Sequence, residues 1–213
     1  MSPARGRFIS LEGGEGAGKS TLLAGVLACL RQRGLSVVQA REPGGTPVGE
    51  AVRAIVLDPA LAPLAAETEL LLMFASRAQL VREVIEPALA AGQWVVCDRF
   101  ADASYAYQGG GRGQPAARIE ELERWARDGV KPDLTLLLDL PVAAGRDRAA
   151  GRGEADRIES EADAFFERVR ASYRTRAAQE PGRFRVIDAS QAPEQVLQAA
   201  THALIAWLEG PAR

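Results

Sequence analysis

A glycine-rich segment near the start of the chain, GGEGAGKST (residues 13–21), narrows most strongly what this sequence can fold into. An apolar run, FISLE (8–12), precedes it, and apolar residues at helical spacing follow it up to Gly34. This is the setting of a phosphate-binding loop, which lies between a strand and a helix. The segment fits the pattern G-x-x-x-x-G-K-[ST], whose fixed positions are Gly13, Gly18, Lys19 and Ser20.

Such a loop binds phosphate because glycines let the backbone N–H groups curl around phosphate oxygens, at the positive end of a helix dipole. We expect Lys19 to reach the β- and γ-phosphates and the Ser20 hydroxyl to bind Mg²⁺. The sequence therefore predicts a nucleoside triphosphate site. Its predicted loop residues are Gly13, Gly14, Glu15, Gly16, Ala17, Gly18, Lys19, Ser20 and Thr21.

Strand-like and helix-like segments alternate along the chain, which favours an α/β fold with a parallel sheet and helices on both faces. With the phosphate loop, this predicts a P-loop NTPase-type domain. We expect residues 1–213 to form one domain, since no linker or repeat interrupts the pattern. The predicted strands are residues 8–12, 36–40, 94–98, 134–140 and 183–188.

Charge and cysteine content limit the partners. The chain has 26 basic and 28 acidic residues, so nothing suggests a general attraction to nucleic acid or membrane. Cys29 and Cys97 lack metal or disulfide spacing. No signal peptide and no apolar run of membrane-spanning length is evident, so we expect a cytoplasmic protein.

Ligands of such sheets bind beyond the carboxyl ends of the strands, which directs attention to the following loops. After the second strand, REPGGTPVGEAVR (41–53) places Arg41, Glu42 and Arg53 around a Pro-Gly-Gly turn. The arginines could bind a second phosphate and the carboxylate could accept from a hydroxyl. The alternative is a turn with solvated charges.

A helical segment, LLMFASRAQLV (71–81), places Phe74 and Arg77 on one face. An aromatic ring could stack on a nucleobase, and a planar guanidinium could hydrogen-bond to it. The alternative is a core phenylalanine and a surface arginine.

The third strand runs into CDRFADASYAYQGGGRG (97–113). We expect Asp98 to bind Mg²⁺ or its water and Arg99 to point into the crevice. A helix-capping aspartate is the alternative for Asp98. The glycines at 109–111 predict a mobile loop. Neutral groups suited to reading a base edge are supplied by Ser104, Tyr107 and Gln108.

An arginine-rich segment, GRDRAAGRGEADRIE (145–159), resembles a lid that closes over a triphosphate and excludes water. The alternative is a solvated helix face. We place the lid at about residues 146–159. Its arginines are Arg146, Arg148, Arg152 and Arg157.

Taken together, these segments resemble the thymidylate kinases, nearly end to end. The resemblance rests on EGGEGAGKST, REPGGT, FASR, DRFADASYAYQGGGRG, PDLTLLLDLP, and GRGEADRIE with FFERVRASY. It implies a five-stranded sheet, Mg²⁺, a homodimer with the helix around 66–86 as one candidate face, and phosphoryl transfer from ATP to thymidine monophosphate, toward dTTP.

The resemblance also implies individual roles. Phe74 would stack on thymine, Tyr107 would lie against the deoxyribose, and Glu15 would meet the 3′-hydroxyl. The base edge would be bound by Arg77, Ser104 and Gln108, and the acceptor phosphate by Arg53 and Arg99.

The phosphate loop carries no arginine of its own, so the resemblance implies that a lid arginine stabilises the transferring group. Arg152 is the first candidate, and Arg148 is the second group that could contact phosphate. The residues by themselves are compatible with two other functions. One is a P-loop kinase with a different nucleoside or nucleotide acceptor, and the other is a GTP-dependent switch. The chain lacks the Asn-Lys-x-Asp sequence by which such switches commonly select guanine.

Overall fold

A five-stranded parallel sheet forms the centre of the computed structural model, which describes residues 5–127, 129–149 and 155–210. The strands lie in the order β2-β3-β1-β4-β5. They are β1 (Phe8–Gly13), β2 (Val37–Arg41), β3 (Trp94–Asp98), β4 (Leu134–Asp139) and β5 (Phe184–Asp188). All five predicted strands and their parallel arrangement are confirmed.

Helices surround this sheet, and none in the described part of the chain is long and apolar enough to cross a membrane. They are α1 (Lys19–Gln32), α2 (Pro47–Leu57), α3 (Ala66–Leu80), α4 (Glu86–Ala90), α5 (Ala101–Ser104), α6 (Ala116–Arg127), α7 (Val142–Ala149), α8 (Asp163–Gln179) and α9 (Pro193–Glu209). Two π-helical turns, Val81–Ile85 and Tyr105–Gly111, extend α3 and α5.

Both faces of the sheet are covered, as the continuous apolar runs predicted. On one face, Ile9 and Leu11 of β1 belong to a core with α1 and α9. On the other face, Phe8 of β1 packs with residues of the α3–α4 region. Leu137 of β4 packs on that second face with α8. The predicted helices on both faces are therefore confirmed.

The strand order brings the first three ligand-facing loops together. Leu11 of β1 is in register with Asp98 of β3, and Asp98 is in register with Arg41 of β2. Because the strands are parallel, the phosphate loop, Arg99 and the loop after Arg41 all leave the sheet at one edge.

The prediction of a mobile loop at residues 109–111 is wrong, since these glycines continue a helix. A Cβ on Gly111 would lie 2.4 Å from Cε2 of Phe165, and one on Gly110 would lie 2.8 Å from the carbonyl oxygen of Arg168. The missing side chains thus allow α8 to approach closely.

The segment after Arg41 also contains more regular structure than the loop prediction allowed. Helix α2 begins at Pro47, and Oγ1 of Thr46 accepts a hydrogen bond from the backbone N–H of Gly49 at 3.0 Å. Threonine followed by proline signals the start of a helix. The threonine side chain accepts from one of the backbone N–H groups that have no partner within the helix, and proline has no N–H group that would need a partner.

Candidate active site

Two glycines of the phosphate loop have a backbone conformation that other residues rarely adopt. Gly16 and Gly18 have φ values of 70° and 92°, in the left-handed region. Gly16 also approaches Gly145 so closely that a Cβ would lie 2.2 Å from the Gly145 carbonyl oxygen. Helix α1 begins directly after this turn, at Lys19, and no side chain caps it in the described residues. Its first N–H groups are therefore directed toward the loop, where an anion would be stabilised.

Lys19 folds back over the loop. Its Nζ donates to the carbonyl oxygens of Gly13 at 3.2 Å and Gly14 at 2.9 Å. Burial, and then the nearby charge of Arg99, lowers the pKa of Lys19. Lys19 also lines a cavity that opens beside the loop.

A cavity of about 560 Å³ opens above the sheet edge beside this loop. The cavity is lined both by residues predicted from the sequence to belong to the site and by residues that were not predicted. The predicted ones are Glu15, Gly16, Ala17, Gly18, Lys19, Ser20, Thr21, Glu42, Arg53, Asp98, Arg99, Tyr107 and Gln108. Leu57 and Met73 also line the cavity and were not predicted, whereas Asp156, Ile158 and Glu159 belong to the predicted lid segment.

Arg99 lies between the phosphate loop and the rest of the cavity. Its Nη1 donates to the Gly13 carbonyl at 2.9 Å, and its Nη2 donates to Oε1 of Glu15 at 2.5 Å. The Tyr107 hydroxyl accepts from Nη2 at 2.9 Å and donates to the same Glu15 oxygen at 2.9 Å. Arg99 also has a φ of 67°, which is strained for a non-glycine residue, and such strain is concentrated at functional sites.

Asp98, the predicted magnesium ligand, has a buried carboxylate oxygen at the end of β3. Its Oδ1 is buried and has no hydrogen-bond partner within the described ranges, although it lines the same cavity as Ser20. A buried carboxylate oxygen without a partner is costly unless an ion, water or ligand satisfies it. The donor set therefore fits Mg²⁺, which prefers oxygen ligands.

The predicted base-binding residues form a buried group behind the cavity wall. The Arg77 guanidinium lies 4.5 Å from the centre of the Phe74 ring. Its Nε donates to Oε2 of Glu42 at 2.8 Å, and its Nη2 donates to Oγ of Ser104 at 3.0 Å. Phe74, Arg77 and Ser104 are almost fully buried and do not line the cavity, whereas Glu42, which accepts from Arg77, does line it.

Arg53 also lines the cavity. Its Nη1 donates to the Pro43 carbonyl at 3.1 Å. Burial, and then the charge of Arg41, lowers the pKa of Arg53. The guanidinium is thus held near the cavity by one neutral oxygen, which leaves donors for an anionic ligand.

The described lid arginines have separate attachments. Arg148 donates to the Ala189 carbonyl at 2.8 Å, after β5. Arg146 bonds to Asp163 at 2.7 Å, and Arg157 is buried, donating to Glu69 at 2.6 Å. The remaining lid candidate, Arg152, lies outside the described residues.

Three site-supporting residues were missed by sequence reasoning: Glu12, Glu69 and Tyr173. Glu12 is fully buried and accepts from the Phe100 backbone N–H at 2.8 Å. A charged residue at the end of an apolar strand was the only available signal for it. Glu69 and Tyr173 make their contacts across many residues of sequence, so no local pattern could identify their partners.

Comparison with known proteins agrees with this geometry. Residues 11–200 match the family model described as thymidylate kinase. A protein named thymidylate kinase from Alkalilimnicola ehrlichii is 56% identical, with 97% of each chain covered. Proteins with that name from Bordetella pertussis (56% identical, 93% of each chain) and Chromohalobacter salexigens (59% identical, 92% of each chain) are similarly close. With a phosphate loop, an arginine-bridged cavity and this extent of similarity, the chain belongs to the thymidylate kinase family.

Proposed function

We propose that this chain transfers the γ-phosphoryl group of ATP to the 5′-phosphate of thymidine monophosphate, giving thymidine diphosphate and ADP. The position of Arg99 carries the proposal, because its guanidinium bonds both to the phosphate loop and to Tyr107 in the adjoining cavity. One cation thus lies between a donor site and an acceptor site, as direct transfer between two bound nucleotides requires.

In the proposed reaction, an acceptor phosphate oxygen attacks the γ-phosphorus while the bond from that phosphorus to the β,γ-bridging oxygen breaks. Lys19 stabilises the donor phosphates, whereas Arg53 and Arg99 hold the acceptor phosphate. These side chains contribute positioning and charge, since phosphoryl transfer needs little covalent help from the protein.

Mg²⁺ would be held by the Ser20 hydroxyl and the Asp98 carboxylate. The unpartnered buried oxygen of Asp98 supports this assignment. When bound, the ion would neutralise charge on the donor phosphates.

Acceptor recognition is assigned to the cavity beyond Arg99. Tyr107 lies against the sugar and Glu15 meets its 3′-hydroxyl, both placed beside Arg99 by direct hydrogen bonds. Glu42 lines the same cavity and accepts a hydrogen bond from Arg77. The base is assigned to Gln108, which lines the cavity, and to Phe74, Arg77 and Ser104, which form the buried group behind that wall.

The lid completes the site in this proposal. Arg152 supplies charge to the transferring group, because the phosphate loop has no arginine. Arg148 contributes to ATP binding from the edge of β5, where it contacts the carbonyl oxygens of residues 189–191.

The homodimer is also part of the proposal, with α2 and α3 as its face. Val48 and Ile55 of α2 and Leu71 of α3 are exposed, and Leu71 is 57% exposed. We expect Leu71→Glu to give a monomer by sedimentation equilibrium. Val186→Glu is the matched control, since Val186 is 53% exposed but lies on the edge strand β5. A dimeric Leu71→Glu variant would contradict the proposed face.

We further propose a cytoplasmic location with no nucleic-acid or membrane partner. Two free, buried cysteines fit a reducing compartment, and a net charge of −2 gives no general attraction to polyanions.

A coupled assay for ADP, with ATP, Mg²⁺ and a panel of nucleoside monophosphates, tests the proposed activity. Thymidine monophosphate should give the highest kcat/KM, and Lys19→Ala should abolish nearly all turnover. Lys131→Ala is the control, because Lys131 forms a surface ion pair with Glu180. A higher kcat/KM with a different acceptor would replace this proposal with another P-loop kinase activity.

A further inference from the structure

A carboxylate with no assigned role lies behind the proposed base-binding residues. The Glu69 side chain on α3 is fully buried. Its Oε1 accepts from Nε2 of Gln108 at 2.9 Å. Its Oε2 accepts from Nη2 of Arg157 at 2.6 Å and from Nε of Arg112 at 3.2 Å. One carboxylate therefore receives bonds from two arginines and one amide.

These partners keep Glu69 ionised. Burial alone would raise the pKa of Glu69, but hydrogen bonds from Gln108 and Arg157 and the charge of Arg112 hold it below its ordinary value. An ionised carboxylate only accepts hydrogen bonds.

The acceptor-only character of Glu69 determines which end of the Gln108 amide faces it. An amide carries two donors on nitrogen and an acceptor oxygen, and its two orientations have nearly the same shape. The NH₂ group of Gln108 must face Glu69, because the reverse orientation would oppose two acceptor oxygens. Oε1 of Gln108 is buried, has no partner within the described ranges, and belongs to a side chain that lines the cavity.

We infer that Glu69 is a positioning residue for base specificity, which fixes the Gln108 amide so that it offers a hydrogen-bond acceptor to the base. The inference rests on the proposed acceptor site. Arg77 complements it, because its buried Nη1 is a donor without a partner among the described residues.

The unpaired acceptor Oε1 of Gln108 and the unpaired donor Nη1 of Arg77 would together distinguish thymine from cytosine. Thymine presents an N3–H donor beside its O4 acceptor, whereas cytosine presents an N3 acceptor beside an N4 amino donor. A free Gln108 amide could rotate to suit cytosine, but the carboxylate of Glu69 prevents this. Discrimination then arises from unpaired buried groups with the wrong base, which is an effective form of selectivity.

The test compares dissociation constants for thymidine monophosphate and deoxycytidine monophosphate by calorimetry. In Glu69→Gln, residue 69 can donate or accept, so the fixed orientation is lost. We expect binding of thymidine monophosphate to weaken about tenfold, which corresponds to about 1.4 kcal/mol. Binding of deoxycytidine monophosphate should not weaken, so selectivity falls by the same factor. In turnover, KM should rise while kcat changes little.

A double-mutant comparison separates positioning from a general structural role. If Glu69 acts through Gln108, then Glu69→Gln should leave the selectivity of a Gln108→Ala protein unchanged. Glu67→Gln is the matched control, because Glu67 lies on the same helix with an exposed carboxylate. The inference would be overturned if Glu69→Gln left selectivity unchanged. It would also be overturned if Glu69→Gln lowered selectivity as much in the Gln108→Ala protein as in the unmodified one.

Glu69→Gln also weakens the bonds to Arg112 and Arg157, so folding is checked by thermal unfolding. Should that variant fail to fold, Glu69→Asp keeps the charge but retracts the acceptor from Gln108, and the same fall in selectivity is expected. Unchanged selectivity in Glu69→Asp would then overturn the inference. Lack of turnover of thymidine monophosphate by the unmodified protein would instead contradict the proposed function, which the binding comparison does not test.

Discussion

The hydroxyl group of Tyr173, on α8, donates to Oε2 of Glu12, at the end of β1, at 2.8 Å. The same hydroxyl accepts from Nη1 of Arg99 at 3.2 Å. The other Glu12 oxygen accepts from the Phe100 backbone N–H. A buried carboxylate is thereby linked to the arginine proposed to hold the acceptor phosphate.

This arrangement predicts a pH-dependent stability. Burial, and then the negative charge of Asp102, raises the pKa of Glu12 from 4.5 to about 8. Since the folded-state pKa exceeds the unfolded one, the folded protein binds more protons between these values. The contribution of Glu12 is fully present below pH 4.5 and is lost as the pH rises to about 8. We expect the free energy of unfolding, measured in urea, to fall from pH 6 to pH 8.

Replacement of Glu12 by Gln, which removes the titration, should flatten this fall. Glu67→Gln should leave it unchanged, because the pKa of Glu67 is lowered and lies below that pH range. An equally steep fall in the Glu12→Gln protein would contradict the assignment.

A second prediction concerns Tyr173→Phe. The substitution keeps the ring but removes the hydroxyl that contacts Glu12 and Arg99. We expect a loss of about 1–3 kcal/mol in stability, because a buried polar group loses its partner. We also expect a several-fold fall in kcat, because Arg99 loses one of the groups that orient it. Urea unfolding and steady-state kinetics measure the two effects.

Tyr105→Phe is the matched control, since the Tyr105 hydroxyl donates to Glu123 at 2.7 Å and is not one of the groups that accept from the Arg99 guanidinium in the described part of the chain. It should leave kcat unchanged. Equal values of kcat for Tyr173→Phe and the unmodified protein would show that Arg99 is oriented without this hydroxyl.

A third prediction is that Arg152→Ala lowers kcat much more than it weakens acceptor binding. Arginines supplied to related phosphoryl transfers contribute roughly 10³ to 10⁵ in rate, which is an upper guide. Single-turnover measurement with saturating nucleotides isolates this effect. Arg148→Ala should mainly raise KM for ATP, because Arg148 is bonded to carbonyl oxygens after β5. A fall in kcat of less than about tenfold for Arg152→Ala would assign the role to another cation.

The sequence predicted those parts of the molecule that depend on local patterns. The β1–loop–α1 unit was predictable because loop chemistry fixes residue types at fixed spacing, and the five strands because burial on two faces requires continuous apolar runs. Asp98 and Arg99 followed from the same logic, since strand ends meet at one sheet edge.

Contacts set by tertiary packing were not predictable. Glycines at 109–111 suggested mobility, but α8 packs against them, and only the three-dimensional approach of Phe165 reveals this. Arg157 looked like a lid cation, but it is buried against Glu69, 88 residues away in the sequence. Partners so distant leave no periodicity or spacing from which to infer them.

The final prediction concerns sugar selectivity at Tyr107. Its ring is 5% exposed and packs edge-on against Phe165 and Tyr173, while its hydroxyl bonds to Arg99 and Glu15. The ring and the hydroxyl therefore have separable roles. A 2′-hydroxyl would meet the ring, so deoxyuridine monophosphate should be a poor but detectable acceptor and uridine monophosphate a worse one.

Tyr107→Phe should keep the ratio of kcat/KM for deoxyuridine monophosphate to that for uridine monophosphate. It should lower kcat, because the bond to Arg99 is lost. Tyr107→Ala should relax the ratio, with a loss of stability from the cavity that it leaves. If Tyr107→Ala kept the full ratio, the ring would not be the group that excludes the 2′-hydroxyl, and the sugar would have to bind elsewhere in the cavity.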